Sequence, residues 1–166
     1  DQQYYESSIE NGMKSFLNFN TESSDPVPLQ ESVDPDTLIL NIGSSEYTLE
    51  LADTPKKIME GLSGRTSIPR KSGMFFVMPE ECRQDFWMRG CLTDMDAIFL
   101  NSEGRIVNMH RMLAETPRSK FESEENYESR LRLYSSEEPA KYVIEIPCGD
   151  ITRLGLTVGE TIELPI

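Results

Sequence analysis

The amino-acid sequence predicts a mostly β fold: a small closed or nearly closed β-barrel with one or two short helices. Two observations carry this. Short runs of apolar residues alternate with polar ones, as Leu38, Leu40 and Ile42 do, and then Tyr47, Leu49 and Leu51. A period of two puts every second side chain on one face of a strand. The runs are separated by short turn-forming stretches, and only one segment, near the start of the regular pattern, carries a full set of helix start and stop signals.

Residues 1–36 read as a disordered acidic leader or linker, and residues 37–166 as one barrel-like domain. Asp1 to Phe19 has only a ragged apolar stripe (Tyr4, Tyr5, Ile9, Met13, Phe16, Leu17), enough for a transient helix. Asn20 to Asp36 sets Pro26, Pro28 and Pro35 among Thr, Glu, Ser and Asp. Such a stretch buries too little to offset its ordering entropy. It suits a tether or processed leader, and the alternative is a partner-binding arm.

The first two alternating runs flank Gly43-Ser44-Ser45 and predict two strands joined by a short turn. Asp53 or Thr54 then caps a short helix, with Pro55 in its first turn, Gly61 at its exit, and Ile58 and Leu62 toward the core. Met74 to Met78, opened by Gly73 and stopped by Pro79, predicts a buried strand, and Phe86-Trp87-Met88 another. Ala97 to Leu100 and Arg105 to Met109 flank Asn101-Ser102-Glu103-Gly104, a hairpin signal. Residues 114–139, polar and acidic with Pro117 and Pro139, predict a long surface loop with a helical turn around Asn126 to Leu133. Tyr142 to Ile146 is a strand ended by Pro147, Asp150 to Leu154 one helical turn closed by Gly155, and Thr161 to Leu164 the last strand.

Composition narrows the function classes. The chain has 166 residues, 37% of them hydrophobic, a mean hydropathy of -0.45 and a formal charge of -13. That charge repels phosphate backbones and anionic lipid, so it argues against nucleic acid and against adhesion to anionic lipid as partners, while cationic or neutral ones stay open. No apolar run approaches the roughly 18 residues of a membrane span. The chain starts at Asp1 instead of Met, which predicts either a removed leader or a fragment. Cys82, Cys91 and Cys148 allow at most one bridge, with Cys91–Cys148 as one pairing; the alternative is three reduced thiols.

Several segments read together in one order: Ala52-Asp53-Thr54-Pro55, Gly61-Leu62-Ser63-Gly64-Arg65, Gly73-Met74-Phe75-Phe76-Val77, Phe86-Trp87-Met88-Arg89, Met95-Asp96-Ala97-Ile98-Phe99, Gly104-Arg105-Ile106-Val107 and Tyr142-Val143-Ile144-Glu145. In order and spacing they resemble the domain of unknown function 192 family, over about Leu38 to Leu164. The resemblance implies a compact barrel-like fold with little helix, in a bacterial or archaeal protein commonly exported or lipid-anchored. It brings no established catalytic activity. Where the family usually reads Trp-Met-Lys-Asn-Thr, this chain has Trp87-Met88-Arg89-Gly90-Cys91, and Met95 replaces the usual leucine before the aspartate.

The candidate chemistry is sparse. Trp87 and Met88, on a strand, would point to opposite faces, one lining a recess and one packing inside. An indole face suits a sugar or a cation, although a single tryptophan is more often a core anchor. Asp96 precedes an apolar run and needs partners if buried, with Arg65 and Arg89 available. Asp96 and Glu145 are the candidate catalytic pair, two carboxylates that would have to converge in a cleft. Glu145 sits between Ile144 and Ile146 and faces away from both. His110 is the only histidine, and no His-x-x-x-His or Cys-x-x-Cys spacing supports a metal site. The acidic stretch Glu122-Ser123-Glu124-Glu125 lacks the calcium-loop pattern and reads as solvated. Ser63 lacks the Gly-x-Ser-x-Gly nucleophile spacing.

These readings predict an extracytoplasmic, non-catalytic binding module for a small molecule, glycan or cell-envelope component. Its site would be lined by Arg65, Trp87, Met88, Arg89, Asp96 and Tyr134, with no cofactor and no metal. The alternatives are a hydrolase using Asp96 and Glu145, and a structural or protein-interaction domain.

Overall fold

The computed structural model describes residues 36–165. The expectations for the leader before residue 36 lie outside the described residues. Six strands form one sheet: β1 (Thr37–Ile42), β2 (Ser45–Ala52), β3 (Ser72–Phe86), β4 (Met95–Leu100), β5 (Ile106–Met112) and β6 (Tyr134–Pro147). The order across the sheet is β1-β2-β3-β6-β4-β5, antiparallel except for the parallel β2–β3 pair. Three short helices accompany it: α1 (Pro55–Glu60), α2 (Glu124–Arg130) and α3 (Asp150–Leu154). None of the described helices is long and apolar enough to cross a membrane.

The fold is mostly β, as the alternation predicts, but the sheet does not close. β1 and β5 are its two edges. What resembles a barrel is a corner in the β3–β6 ribbon. Phe76 and Phe86 are ten residues apart on β3, about 33 Å along a straight strand, yet their ring centroids are 5.2 Å apart. The strand therefore doubles back at the register break between Val77 and Cys82. Pro79 sits in that break, where a missing ladder N–H costs nothing, so it bends the strand instead of ending it. The far half of the ribbon lies over the sheet and continues an edge-to-face chain of rings, Phe76–Phe86–Phe99–His110–Tyr134. Covering one face in this way replaces edge-to-edge closure.

Both faces of the central strands are thus buried, and every residue of β4 is inside. One face gathers Leu40, Ile42, Tyr47, Leu49, Phe75, Ile98, Ile144 and Ile146 under Leu156 and Ile162 of the C-terminal stretch. The other gathers Ala52, Met74, Phe76, Ala97, Phe99 and Val143 under Leu62, Met88 and Tyr134.

Other expectations are corrected. β3 ends at Phe86, so Trp87 and Met88 lie in the irregular stretch before the turn at residues 89–90 and not in a strand. The segment 114–139 is not one loop: Ser123 caps α2 by accepting from the Asn126 N–H, and β6 begins at Tyr134, with Pro139 beside the ribbon's register break. Only Thr161 of the expected last strand pairs, in a single bridge to Arg105. Cys82, Cys91 and Cys148 are all free, so the Cys91–Cys148 bridge is not formed. α1 matches its signals, with the Thr54 side chain accepting from the Lys57 N–H and Pro55 in the first turn.

Candidate functional site

One face of the sheet carries a row of residues that no sequence period could assemble. The registers align Glu50 on β2 with Met74 on β3, Met74 with Glu145 on β6, Glu145 with Ala97 on β4, and Ala97 with His110 on β5. Glu145 lies in the middle of this row. It is only 5% exposed, and its carboxyl makes no hydrogen bond or ion pair among the described residues. Among the described residues, the sealed carboxyl oxygens without a hydrogen bond are both of Asp85 and Oδ1 of Asp96, and these two acids have Arg83 at 3.6 Å and Arg111 at 3.9 Å. Those of Glu145 are not among them, so the exposed sliver reaches its carboxyl. Burial alone pushes its pKa from 4.5 up to about 8.

Two loops roof this carboxyl. The first follows α1. Gly61 is half-buried, and a Cβ built on it would stand 3.5 Å from Phe76 Cζ and 3.8 Å from Glu145 Oε1. The second follows β3 and is stitched to the first. Ser63 Oγ donates to the Arg89 carbonyl at 3.3 Å, and the Gly64 N–H donates to the Gly90 carbonyl at 2.9 Å. The Gly90 N–H donates to Tyr127 Oη on α2 at 2.8 Å. Gly90 has φ +67°, a left-handed backbone that Gly and Asn adopt most readily. The exchange from the family's usual Asn therefore keeps the backbone conformation, and the absent Cβ, which would stand 2.5 Å from Ser63 Oγ, makes room for the Ser63 bond to the Arg89 carbonyl. Cys91, next in the chain, donates its thiol to the Arg89 carbonyl. Its pKa is pushed up to about 12, first by burial and then by the Glu145 charge. At neutral pH the thiol stays protonated and is a poor nucleophile. Cys91 also lines a cavity of about 250 Å³ with Arg89, Leu92, Arg118 and Tyr127.

The residues singled out in the sequence do not all meet here. Arg89 lines the cavity, held by Glu128 (3.0 Å) and Glu124 (2.7 Å). Arg65 is clamped by Glu50 through both carboxylate oxygens, with Nη2 to Oε1 at 2.9 Å. Met88 is core, and Trp87 is half-buried. Tyr134 is core as well, its hydroxyl accepting from the Leu113 N–H. Asp96 lies on the other side of the sheet. Ala97 and Glu145 are direct cross-strand partners and share a face, so the neighbouring Asp96 points away. Its Oδ2 accepts from the Gly149 and Ile151 N–H groups at 3.0 and 2.9 Å, which fastens β4 to the start of α3. Burial raises its pKa, against the lowering effect of those bonds and of Arg111. Asp96 and Glu145 therefore cannot flank one scissile bond, and the paired-carboxylate geometry is absent. Sequence reasoning missed Gly61 and Cys91 as neighbours of Glu145, and Glu50 as a member of its row two strands away; only Gly61 of the Gly61–Arg65 segment was a visible signal. No group of three or more His, Cys, Asp and Glu among the described residues is placed to hold a metal ion.

Fold and site together define a class: a mostly β domain with an open, cornered sheet and a buried carboxyl under two stitched loops. The chain belongs to the domain of unknown function 192 family, described as an uncharacterized ACR, whose model matches residues 38–164. It is similar to a UPF0127 protein of Thermococcus gammatolerans, at 34% identity over 117 residues. That match covers 69% of this chain and 65% of the relative, so it spans less than two thirds of the relative's length. Among solved structures, it is similar to a candidate transcription regulator from Sinorhizobium meliloti 1021 (28% identity, TM-score 0.63, covering 80% of this chain and 97% of the other). It also shares its fold with a protein of unknown function from Novosphingobium aromaticivorans (23% identity, TM-score 0.62, covering 87% and 94%).

Proposed function

We propose that this chain is a binding module for a small molecule, with its site where the loops at Gly61–Arg65 and Arg89–Cys91 roof Glu145. One observation carries the reading: Glu145 is a buried carboxyl with no partner among the described residues. A carboxyl in that position costs several kcal/mol unless something bonds it, and burial alone displaces its titration. Perturbed groups of this kind concentrate at binding and catalytic sites. Catalysis is the weaker reading, because Asp96 faces away and the Cys91 thiol is held protonated. The regulator named among the similar structures does not bring DNA binding with it, because a formal charge of -13 opposes a phosphate backbone. An extracytoplasmic setting belongs to the same proposal and rests on the family resemblance.

The test is a two-dimensional amide NMR titration with a set of neutral sugars, amino acids and amines. Binding here shifts the signals of Gly61–Arg65, Gly90, Cys91 and Glu145 together. A set of probes that leaves all of these unmoved, or shifts only residues 116–130, refutes the proposal.

A further inference from the structure

We infer that the cavity between the loop at residues 89–92 and the segment at residues 115–118 takes a small free α-amino acid, its carboxylate on Arg118 and its ammonium on Glu115. This site stands apart from the Glu145 roof. The two share the chain at Arg89–Cys91, but Glu145 does not line the cavity. The volume is about 250 Å³. At about 30 Å³ per water in the liquid, that is room for on the order of eight water-sized groups, which fits a small amino acid and not a disaccharide.

Side chains pin both walls. Arg89 is bound to Glu128 at 3.0 Å and to Glu124 at 2.7 Å, which ties the first loop to α2. The Gly90 N–H donates to Tyr127 Oη, and the Arg89 and Arg130 guanidiniums lie 5.8 and 4.9 Å from the centre of the Tyr127 ring. Arg130 also donates to Glu122 Oε2 at 2.7 Å and to the Thr116 carbonyl at 2.9 Å, which fixes the second segment. A site held in this way has little freedom left to lose on binding.

Two charges of opposite sign are left over on the lining. Arg118 is exposed, and its Nε donates to the Glu122 carbonyl at 2.8 Å. That bond orients the guanidinium and leaves both Nη groups without a partner among the described residues. Glu115 is half-buried; its Oε2 accepts from the Arg132 N–H at 3.0 Å, and its Oε1 has no partner among the described residues. The remaining charges of the lining, Arg89 and Glu124, are bound to each other. Leu92, Pro117 and Tyr127 add apolar surface.

This set of groups selects the ligand. A lone carboxylate answers Arg118 but meets Glu115 and a net charge of -13. A lone amine answers Glu115 but meets Arg118. A molecule carrying both groups satisfies both, and the guanidinium can hold its carboxylate through two parallel N–H bonds. A short aliphatic side chain then covers Leu92 and Pro117 and removes their apolar surface from water.

The experiment is a two-dimensional amide NMR titration at pH 7 with L-valine, with isovalerate, which lacks the ammonium, and with isobutylamine, which lacks the carboxylate. L-Valine at millimolar concentration should shift the signals of Leu92, Glu115, Arg118 and Tyr127 saturably. Isovalerate and isobutylamine should each bind at least about tenfold more weakly, and so should L-valine to Arg118→Gln or to Glu115→Gln, since each change removes one charge-assisted contact. Signals away from the cavity that match the parent protein show that a variant is folded. Should Glu115→Gln fail to fold, Arg118→Gln decides. Either half-molecule binding as tightly as L-valine overturns the inference, as does unchanged binding by a folded variant. L-Valine shifts confined to Gly61–Arg65 and Glu145 overturn it while leaving the Glu145 reading standing. No shift with L-valine overturns it, whatever other probes do at Glu145.

Discussion

Raising the pH should weaken this fold through one side chain. Glu145 titrates at about 8 in the folded chain, against 4.5 for an ordinary glutamate. Between those values the folded state holds a proton that the unfolded state has lost, so stability falls as pH rises. The contribution is fully present below about 4.5 and is lost as pH rises through about 8. At about 1.4 kcal/mol per unit, the shift amounts to on the order of 5 kcal/mol, which is comparable to the whole stability of many domains. Glu145→Gln keeps the shape of the neutral acid and cannot ionise. Urea unfolding followed by fluorescence of Trp87, the only tryptophan, measures both proteins from pH 5 to 9. At pH 5 the two should agree within about 1 kcal/mol. At pH 9 the variant should be the more stable by several kcal/mol. Asp96 is also raised by burial, but it is present in both proteins and cancels in the difference. Parallel stability curves across this range would refute the argument that Glu145 is buried without a partner.

Further tests address the frame around the site. Gly73→Ala would place a Cβ 2.0 Å from the Glu145 carbonyl oxygen; backbone has to move, and denaturant unfolding should show a loss of at least about 3 kcal/mol or no soluble protein. A Cβ at Gly90 would stand 2.5 Å from Ser63 Oγ, so Gly90→Asn should cost about 1 kcal/mol as Ser63 turns off the Arg89 carbonyl, and Gly90→Val about 2–3 kcal/mol, because φ +67° also resists a β-branched residue. Asp96→Ala strips acceptors from the Gly149 and Ile151 N–H groups, a loss of about 2–3 kcal/mol, and amide exchange should quicken at those two residues first. Thiol labelling of the native protein at pH 8, read by mass spectrometry, should modify exposed Cys82 and Cys148 faster than Cys91: burial raises all three thiols, but Cys91 is the least exposed and is pushed up to about 12.

Local features of the chain were readable wherever the chemistry is local. The alternation through β1 and β2, the Thr54 cap with Pro55, the turn at Gly104 and the ordered family segments all act within a few residues, so their meaning survives in one dimension. The same reading placed Glu145 on the opposite face from Ile144 and Ile146, which is how they lie. It misplaced Pro79 and Pro139, because whether a proline ends a strand or sits in a bulge depends on the partner strand's register.

The candidate site was decided by tertiary structure. Asp96 and Glu145 look equivalent as acids beside apolar runs, yet the register that pairs Ala97 with Glu145 sends them to opposite faces. One becomes a clamp for α3 and the other a buried acid under two loops. Alternation can say that a side chain faces away from its neighbours. What covers that face, solvent or loops contributed by residues 61–65 and 87–91, is set by strand order and by the corner in β3, and these are long-range pairings that no local period encodes.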